Sequence, residues 1–150
     1  MEEALIKRIL PHSPEAEQSV IGSMIMSRDA IVEASEIITG ADFYQQQYGM
    51  VFEAMIELHD EGKAVDLITL QERLKEKDLP PEISSMEFVR DLLSAVPTSA
   101  NVKYYAEIVA EKSMLRKLIK TTEEITNACY LGKEKTQDLS LIHISEPTRH

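Results

Sequence analysis

Two glycine–lysine pairs are the residues whose types could form a phosphate-binding loop. Such a loop needs a glycine-rich turn that ends in Gly-Lys-Ser or Gly-Lys-Thr, because backbone amides and the lysine must surround the phosphates. The pairs at 62–63 and 132–133 are followed by Ala64 and Glu134, and neither has a glycine five residues earlier. We therefore expect this chain to bind no nucleotide in that way.

Histidine, cysteine and carboxylate residues are the other candidates for chemistry. None of the four histidines has a second histidine at i+4 or a glutamate three residues before it, which excludes a zinc-protease helix and a di-iron bundle site. Cys129 has no local activating partner, and we expect it to be a small packed residue. Glu107 and Glu111 could act as an acid–base pair, but a solvated helix face is favoured because it explains them without any special environment. We predict no catalytic residue, metal site or cofactor.

Composition and charge restrict the class of protein further. The chain has 150 residues, 43% of them hydrophobic, which is ordinary for one soluble domain. Its net charge of −10 disfavours direct binding to duplex DNA, because such binding gains affinity from neutralising phosphates. No apolar run of about 18 residues is present to span a membrane, and the single cysteine fits a reducing compartment. We expect a cytoplasmic protein.

Helices are the elements that must position any site. Ser13 precedes a helix from Pro14 to Met26, in which Glu15 and Glu17 favour the positive end of the helix dipole. A short second helix is predicted between Ser27 and Gly40, and a third contains Tyr48, Met55 and Leu58 and ends at Gly62. A fourth helix follows Asp66 and contains Leu67, Leu70 and Leu74. A fifth follows a turn at Pro80-Pro81 and contains Phe88, Leu92 and Leu93. The fold class predicted is all-α.

A long helix follows a break at 96–99, where Pro97 cannot continue the preceding helix. It begins near Asn101 and has apolar residues on two sides. One side is expected to pack on the rest of the domain and carries Val102, Tyr105, Ala106 and Val109, followed by a basic row of Lys112, Arg116 and Lys120. The opposite side is predicted to be a subunit interface and carries Tyr104, Ile108, Leu115, Leu118, Ile119 and Ile125.

Polar and basic residues near these stripes have simple explanations. We expect His12 to fix the N-terminal turn, with contact to a partner as the alternative. The basic row is expected to be a solvated face that pairs with Glu123 and Glu124, with phosphate binding as the alternative. Tyr104 and Tyr105 are expected in core and interface positions and not as base-stacking residues.

Four segments are predicted along the chain. They are a flexible N-terminal arm at 1–13, a small helical head at 14–96, a helical hairpin with an incomplete second arm at 97–138, and a non-native tail at 139–150. The tail reads "LSLIHISEPTRH", which keeps no clear helical period, and a frayed native terminus is its alternative explanation.

Several ordered strings resemble one family. "PHSPEAEQSVIGSMI", "DFY", "VDLITLQERLK" and "VPTSANVKYYAEIVAEKSMLRKLI" are similar to the N-terminal domain of the bacterial replicative DNA helicase, the DnaB family, over about residues 10 to 138. The resemblance implies a helical head followed by a long helix that forms the first arm of a hairpin. "PPEISS" stands where the family usually has a Gly-Gly turn, so that loop is expected to differ in shape.

The resemblance also implies a function. Domains of this family pair through their hairpins into a collar on one side of a hexameric ring and help to dock primase, with a helicase loader as a further possible partner. ATP and magnesium belong to a motor domain that lies further along the chain in that family. The leading hypothesis is therefore an assembly and docking module of a helicase. The alternatives are a free-standing regulator of helicase or primase and an enzyme with an unrecognised carboxylate site.

Overall fold

The computed structural model of the chain describes residues 9–94, 101–132 and 137. Within these residues every regular element is helical and no strand occurs, which confirms the all-α prediction. The helices are α1 (Pro14–Met26), α2 (Arg28–Ser35), a 3-10 turn (Gly40–Asp42), α3 (Gln46–Asp60), α4 (Leu67–Glu76), α5 (Pro81–Ser84), α6 (Met86–Ser94) and α7 (Val102–Leu131). None of the described helices is both long and apolar enough to cross a membrane.

Local capping explains the helix starts that the sequence predicts. The Ser13 side chain accepts a hydrogen bond from the Ala16 amide at 3.2 Å, and Asp66 and Thr69 form a reciprocal capping box at the start of α4. Gly62 has a φ of 75°, a left-handed conformation that suits glycine after α3. These three predictions are confirmed because each depends on residues close in sequence.

Two loop predictions are wrong. Gly40 does not stop α2, which ends at Ser35; it opens the 3-10 turn instead. The segment after Pro80 was predicted as a turn, but it forms the short helix α5 before α6 begins. The predictions for the break at 96–99, for residues 1–8 of the N-terminal arm, for the hairpin beyond 132 apart from Gln137, and for the tail lie outside the described residues.

The described residues belong to two compact units. The head unit lies within His12–Ser113, and the second unit contains residues 9–11 and 114–132. The boundary falls inside α7, whereas the sequence placed the end of the head at 96. The reason is burial, since Val102, Ala106 and Val109 of α7 are members of the same apolar core as the earlier helices.

The core of the head unit is built from α1, α2, α3, α4, α6 and the first part of α7. Its largest fully buried apolar side chains are Phe52, Ile21, Met24, Ile31, Met55, Leu70 and Leu74. The rings of Phe43 and Phe52 lie 5.3 Å apart at a tilt of 46°. Tyr105 is partly buried against this core, as its stripe predicts.

Glu17 links α1 to the start of α3. Its side chain is buried, and its two carboxylate oxygens accept hydrogen bonds from the backbone amides of Tyr44 at 2.8 Å and Gln45 at 3.1 Å. A buried carboxylate is tolerated when backbone donors satisfy it. Glu17 therefore fixes the entry into α3, a role beyond the helix-dipole effect that the sequence predicts.

The 3-10 turn and α3 meet through two glycines. A side-chain β-carbon at Gly49 would collide with the carbonyl oxygen of Gly40, and one at Gly40 would lie 2.7 Å from the carbonyl oxygen of Gly49. The Gly40 amide donates to the Glu53 carboxylate at 2.6 Å. Close backbone approach therefore requires glycine at both positions.

An ion-pair network joins α3 to α4. Arg73 donates two hydrogen bonds to Glu61, at 2.8 and 2.7 Å, and one to Glu57 at 3.1 Å. Lys77 donates to Glu57 at 2.6 Å. The hydrogen bonds from Arg73 lower the pKa of Glu61 from its ordinary 4.5 to about 2, and the hydrogen bond from Lys77 is the main cause of a lowered pKa at Glu57.

This network predicts a pH dependence of stability. Because the pKa of Glu61 is lower in the folded chain, its contribution is present above about pH 4.5 and is lost as pH falls towards about 2. Arg73→Ala should return the pKa of Glu61 towards its ordinary value, so thermal stability should fall less steeply between those pH values than in the wild type. The measurement is thermal unfolding by circular dichroism across that range.

The control for this prediction is Lys75→Ala, which changes an exposed lysine on the same helix with no ion pair among the described residues. It should keep the wild-type pH profile. An Arg73→Ala profile parallel to that of the wild type would contradict the assignment of the pKa shift to Arg73.

Candidate subunit interface

Helix α7 carries all the residues predicted for the subunit interface. It runs for 30 residues without proline or glycine. Within the head unit its buried residues are Val102, Ala106, Val109 and Ser113, spaced three or four apart. The Ser113 hydroxyl donates to the Asp42 carboxylate at 2.7 Å. This part of α7 is therefore held by apolar burial and by one buried polar contact.

The two predicted interface residues in the head unit differ in exposure. Tyr104 is 61% exposed, and its ring meets that of Tyr105 edge-on at 5.4 Å. Ile108 is partly buried and packs against the head core, although its stripe predicts a position opposite the head; its place in a subunit interface stays a prediction. The apolar face that a helix buries is at least about 100° wide. Neighbouring residues are about 100° apart around the helix, so Ile108 falls at the edge of the face that contains Val109.

The other four predicted residues lie in the second unit, and we call them the apolar row: Leu115, Leu118, Ile119 and Ile125. Leu115 is 38% and Leu118 is 43% exposed, while Ile119 and Ile125 are half-buried. The structure thus leaves large apolar side chains in contact with solvent along one side of α7. Such rows on soluble proteins mark interaction surfaces.

Two further residues extend the apolar row, and neither was predicted as an interface residue. Thr122 and Cys129 complete a repeat of about 3.5 residues with Leu115, Leu118 and Ile125, the spacing of a helix-pairing seam. The Thr122 hydroxyl donates to the carbonyl of Ile119 at 2.8 Å within the helix. Cys129 is exposed, so the prediction that it packs inside the chain is wrong. The seven-residue spacing was the signal that could have identified both residues.

The basic row departs from the solvated pairing face that the sequence predicts at Arg116, whereas Lys120 is exposed as predicted. Arg116 is half-buried and donates to the carbonyl oxygen of Pro11 at 2.8 Å, which fixes residues 9–11 against α7 in the second unit. No ion pair joins Lys120 or Arg116 to Glu123 or Glu124 among the described residues. The need to hold the N-terminal segment explains the difference.

His12 lies just before α1 and contacts the ring of a tyrosine. The His12 ring stacks on Tyr44 at 4.0 Å with an interplanar angle of 15°, which fits a residue that fixes the N-terminal turn. In the described part of the chain, no three histidine, cysteine, aspartate or glutamate side chains gather into a possible metal site.

The fold and the apolar row define a class of protein, a small all-α domain whose longest helix presents an apolar surface. The family model of the DnaB-like helicase N terminal domain matches residues 9–111. The chain belongs to this family.

Relatives agree with this membership. The chain is 42% identical over 135 residues to the replicative DNA helicase DnaB of Geobacillus stearothermophilus. The matched residues make up 90% of this chain and 30% of that relative. It is 38% identical over 139 residues to the replicative DNA helicase DnaC of Bacillus subtilis, covering 93% and 31%. The chain thus spans about a third of the length of these relatives.

Solved structures agree as well. The crystal structure of the N-terminal domain of DnaB helicase from Mycobacterium tuberculosis matches with a TM-score of 0.87 and 33% identity, over 93% of this chain and 98% of that chain. The N-terminal domain of DnaB helicase from Helicobacter pylori, described with its interactions with primase, matches with a TM-score of 0.69 at 23% identity, over 77% and 90%. The second likeness concerns the fold alone.

Proposed function

We propose that this chain is the N-terminal collar domain of a replicative DNA helicase and that its copies pair through the apolar row. The observation that carries the proposal is the solvent exposure of Leu115 and Leu118 on α7. Each large apolar side chain left in water forgoes roughly 1.5–3 kcal/mol of burial. A contiguous row of such residues is therefore stabilised when a second copy covers it.

Catalysis lies outside the chain in this proposal. The relatives are replicative helicases, and the chain matches only about 30% of their length. ATP hydrolysis, with magnesium, and strand separation are assigned to the remainder of such a protein. The free-standing regulator is not favoured, because the matched relatives are whole helicases.

Primase is the second proposed partner. The relative from Helicobacter pylori is described with its interactions with primase, and so is a DnaB-like replicative helicase with the same fold. A helicase loader is a further proposed partner. Direct binding to duplex DNA is not part of the proposal, because the net charge of −10 repels phosphates. The site of action proposed is the cytoplasm.

Leu115→Glu combined with Ile119→Glu is expected to abolish self-association while the head unit stays folded. A carboxylate buried in an apolar contact loses its hydration, so a pair of copies would be destabilised by several kcal/mol. The measurement is sedimentation equilibrium of both chains over a range of concentrations. Circular dichroism checks that the helical content is unchanged.

The matched control is Tyr105→Ala, which removes a ring that packs on the head core. It should lower the melting temperature and leave association intact in the folded state. Association of the double glutamate variant at the wild-type concentration, or a wild type that stays monomeric at every concentration, would refute pairing through the apolar row.

A further inference from the structure

A small cavity in the head unit is separate from α7. Its volume is about 140 Å³. The apolar part of its lining comes from Met24, Ile25, Ile31, Ala64 and Val65. The end of α1, the start of α2, the end of α3 and the loop after α3 therefore all contribute to it. A space of this size accommodates an ion of phosphate size or a few water molecules.

Basic groups make up the polar part of the lining. They are Arg28, His59 and Lys63, and none of the described lining residues carries a carboxylate. Arg28 makes no ion pair with a described residue, and Lys63 has one surface partner, Glu61, at 3.1 Å. Three basic side chains around one cavity are a departure from the chain's net charge of −10. The cavity lining therefore offers cationic groups and no carboxylate to an anion.

His59 adds an independent observation. Its Nδ1 atom is buried and has no hydrogen-bond partner among the described residues. Buried side-chain nitrogens normally have a hydrogen-bond partner, and His59 lines the cavity, so its Nδ1 is a contact that a ligand in the cavity could use. An imidazole nitrogen that carries its proton donates one hydrogen bond to an oxyanion.

The start of α2 also adds positive charge next to the cavity. Arg28 is the first residue of this helix, and the Ser27 side chain makes no capping hydrogen bond to it. The beginning of a helix carries a partial positive charge. The cavity therefore meets the positive end of a helix dipole in addition to the basic side chains.

We propose that this cavity binds a small oxyanion of phosphate size. Arg28 and Lys63 supply the positive charge, and the buried Nδ1 of His59 supplies a further hydrogen-bonding group. The anion is either free inorganic phosphate or the phosphate group of a mononucleotide, since both present the same oxygens. The site is independent of the apolar row and of the pairing proposed above.

The test is a titration of the isotopically labelled chain with sodium phosphate, with sodium chloride at matched ionic strength as the reference. Phosphate should shift the His59 ring nitrogen resonance in a saturable way and raise the melting temperature, whereas chloride should do neither. Arg28→Ala combined with Lys63→Ala should weaken phosphate binding at least about tenfold. Lys75→Ala, an exposed lysine elsewhere, should bind phosphate like the wild type.

A parallel titration with AMP separates the two sources. Tighter binding of AMP than of phosphate assigns the site to a nucleotide phosphate, and binding of phosphate alone assigns it to the free ion. Equal responses to phosphate and chloride would overturn the proposal, because the cavity would then hold only water. Unchanged affinity in the folded double variant would overturn it as well.

Discussion

Glu17→Ala is expected to lower the free energy of unfolding by about 3–5 kcal/mol. The substitution removes both oxygens that accept the Tyr44 and Gln45 amides, and the buried side chain leaves a cavity behind. A hydrogen bond to a charged group contributes about 1.5–3 kcal/mol, and two such bonds are lost together. Urea unfolding followed by circular dichroism measures the change.

Two variants separate this tether from the helix-dipole effect. Glu17→Gln keeps one acceptor oxygen and should lose about half as much stability as the alanine variant. Glu15→Ala changes an exposed acidic residue in the same first turn and should cost at most about 0.5 kcal/mol. Equal losses at positions 15 and 17 would show that only the dipole matters.

Gly49→Ala is expected to destabilise the chain by about 2–3 kcal/mol, although alanine favours helices over glycine by about 1 kcal/mol. The added β-carbon would collide with the carbonyl oxygen of Gly40, which is backbone and cannot rotate away. Relief requires the 3-10 turn to move from α3, which would also displace the Gly40 amide from Glu53. Thermal and urea unfolding both measure this loss.

Gln46→Ala serves as the control for this second prediction, because Gln46 is exposed at the start of the same helix. That variant should stay within about 0.5 kcal/mol of the wild type. A Gly49→Ala variant that is as stable as the wild type would mean that the two backbones separate without cost.

The sequence predicts those parts of the fold that depend on neighbouring residues. The start of α1 at Ser13, the stop of α3 at Gly62 and the start of α4 at Asp66 all follow from local capping. Glu17 could not be separated from Glu15 in this way. Its partners at 44 and 45 lie 27 and 28 residues along the chain, and only the folded core brings them together.

The solvent exposure of two residues in the apolar row follows from the sequence, whereas the packing of Ile108 does not. Helical spacing placed Leu115 and Leu118 on one side of α7, where the structure exposes them. Spacing alone could not tell that Ile108 packs on the head, because the width of a buried stripe depends on the surface opposite. The pairing role of the apolar row stays a prediction until association is measured.

The burial of the first part of α7 determines where the chain could be divided. Val102, Ala106 and Val109 complete the core begun by α1 and α3, and Ser113 closes it with its hydrogen bond to Asp42. A fragment that ends at residue 96 would lack these side chains, so the core residues of the earlier helices that they cover would meet water, and it should be unstable and sensitive to proteases. A cut placed after Ser113 preserves them. The transplantable module is therefore the head together with the first half of its longest helix.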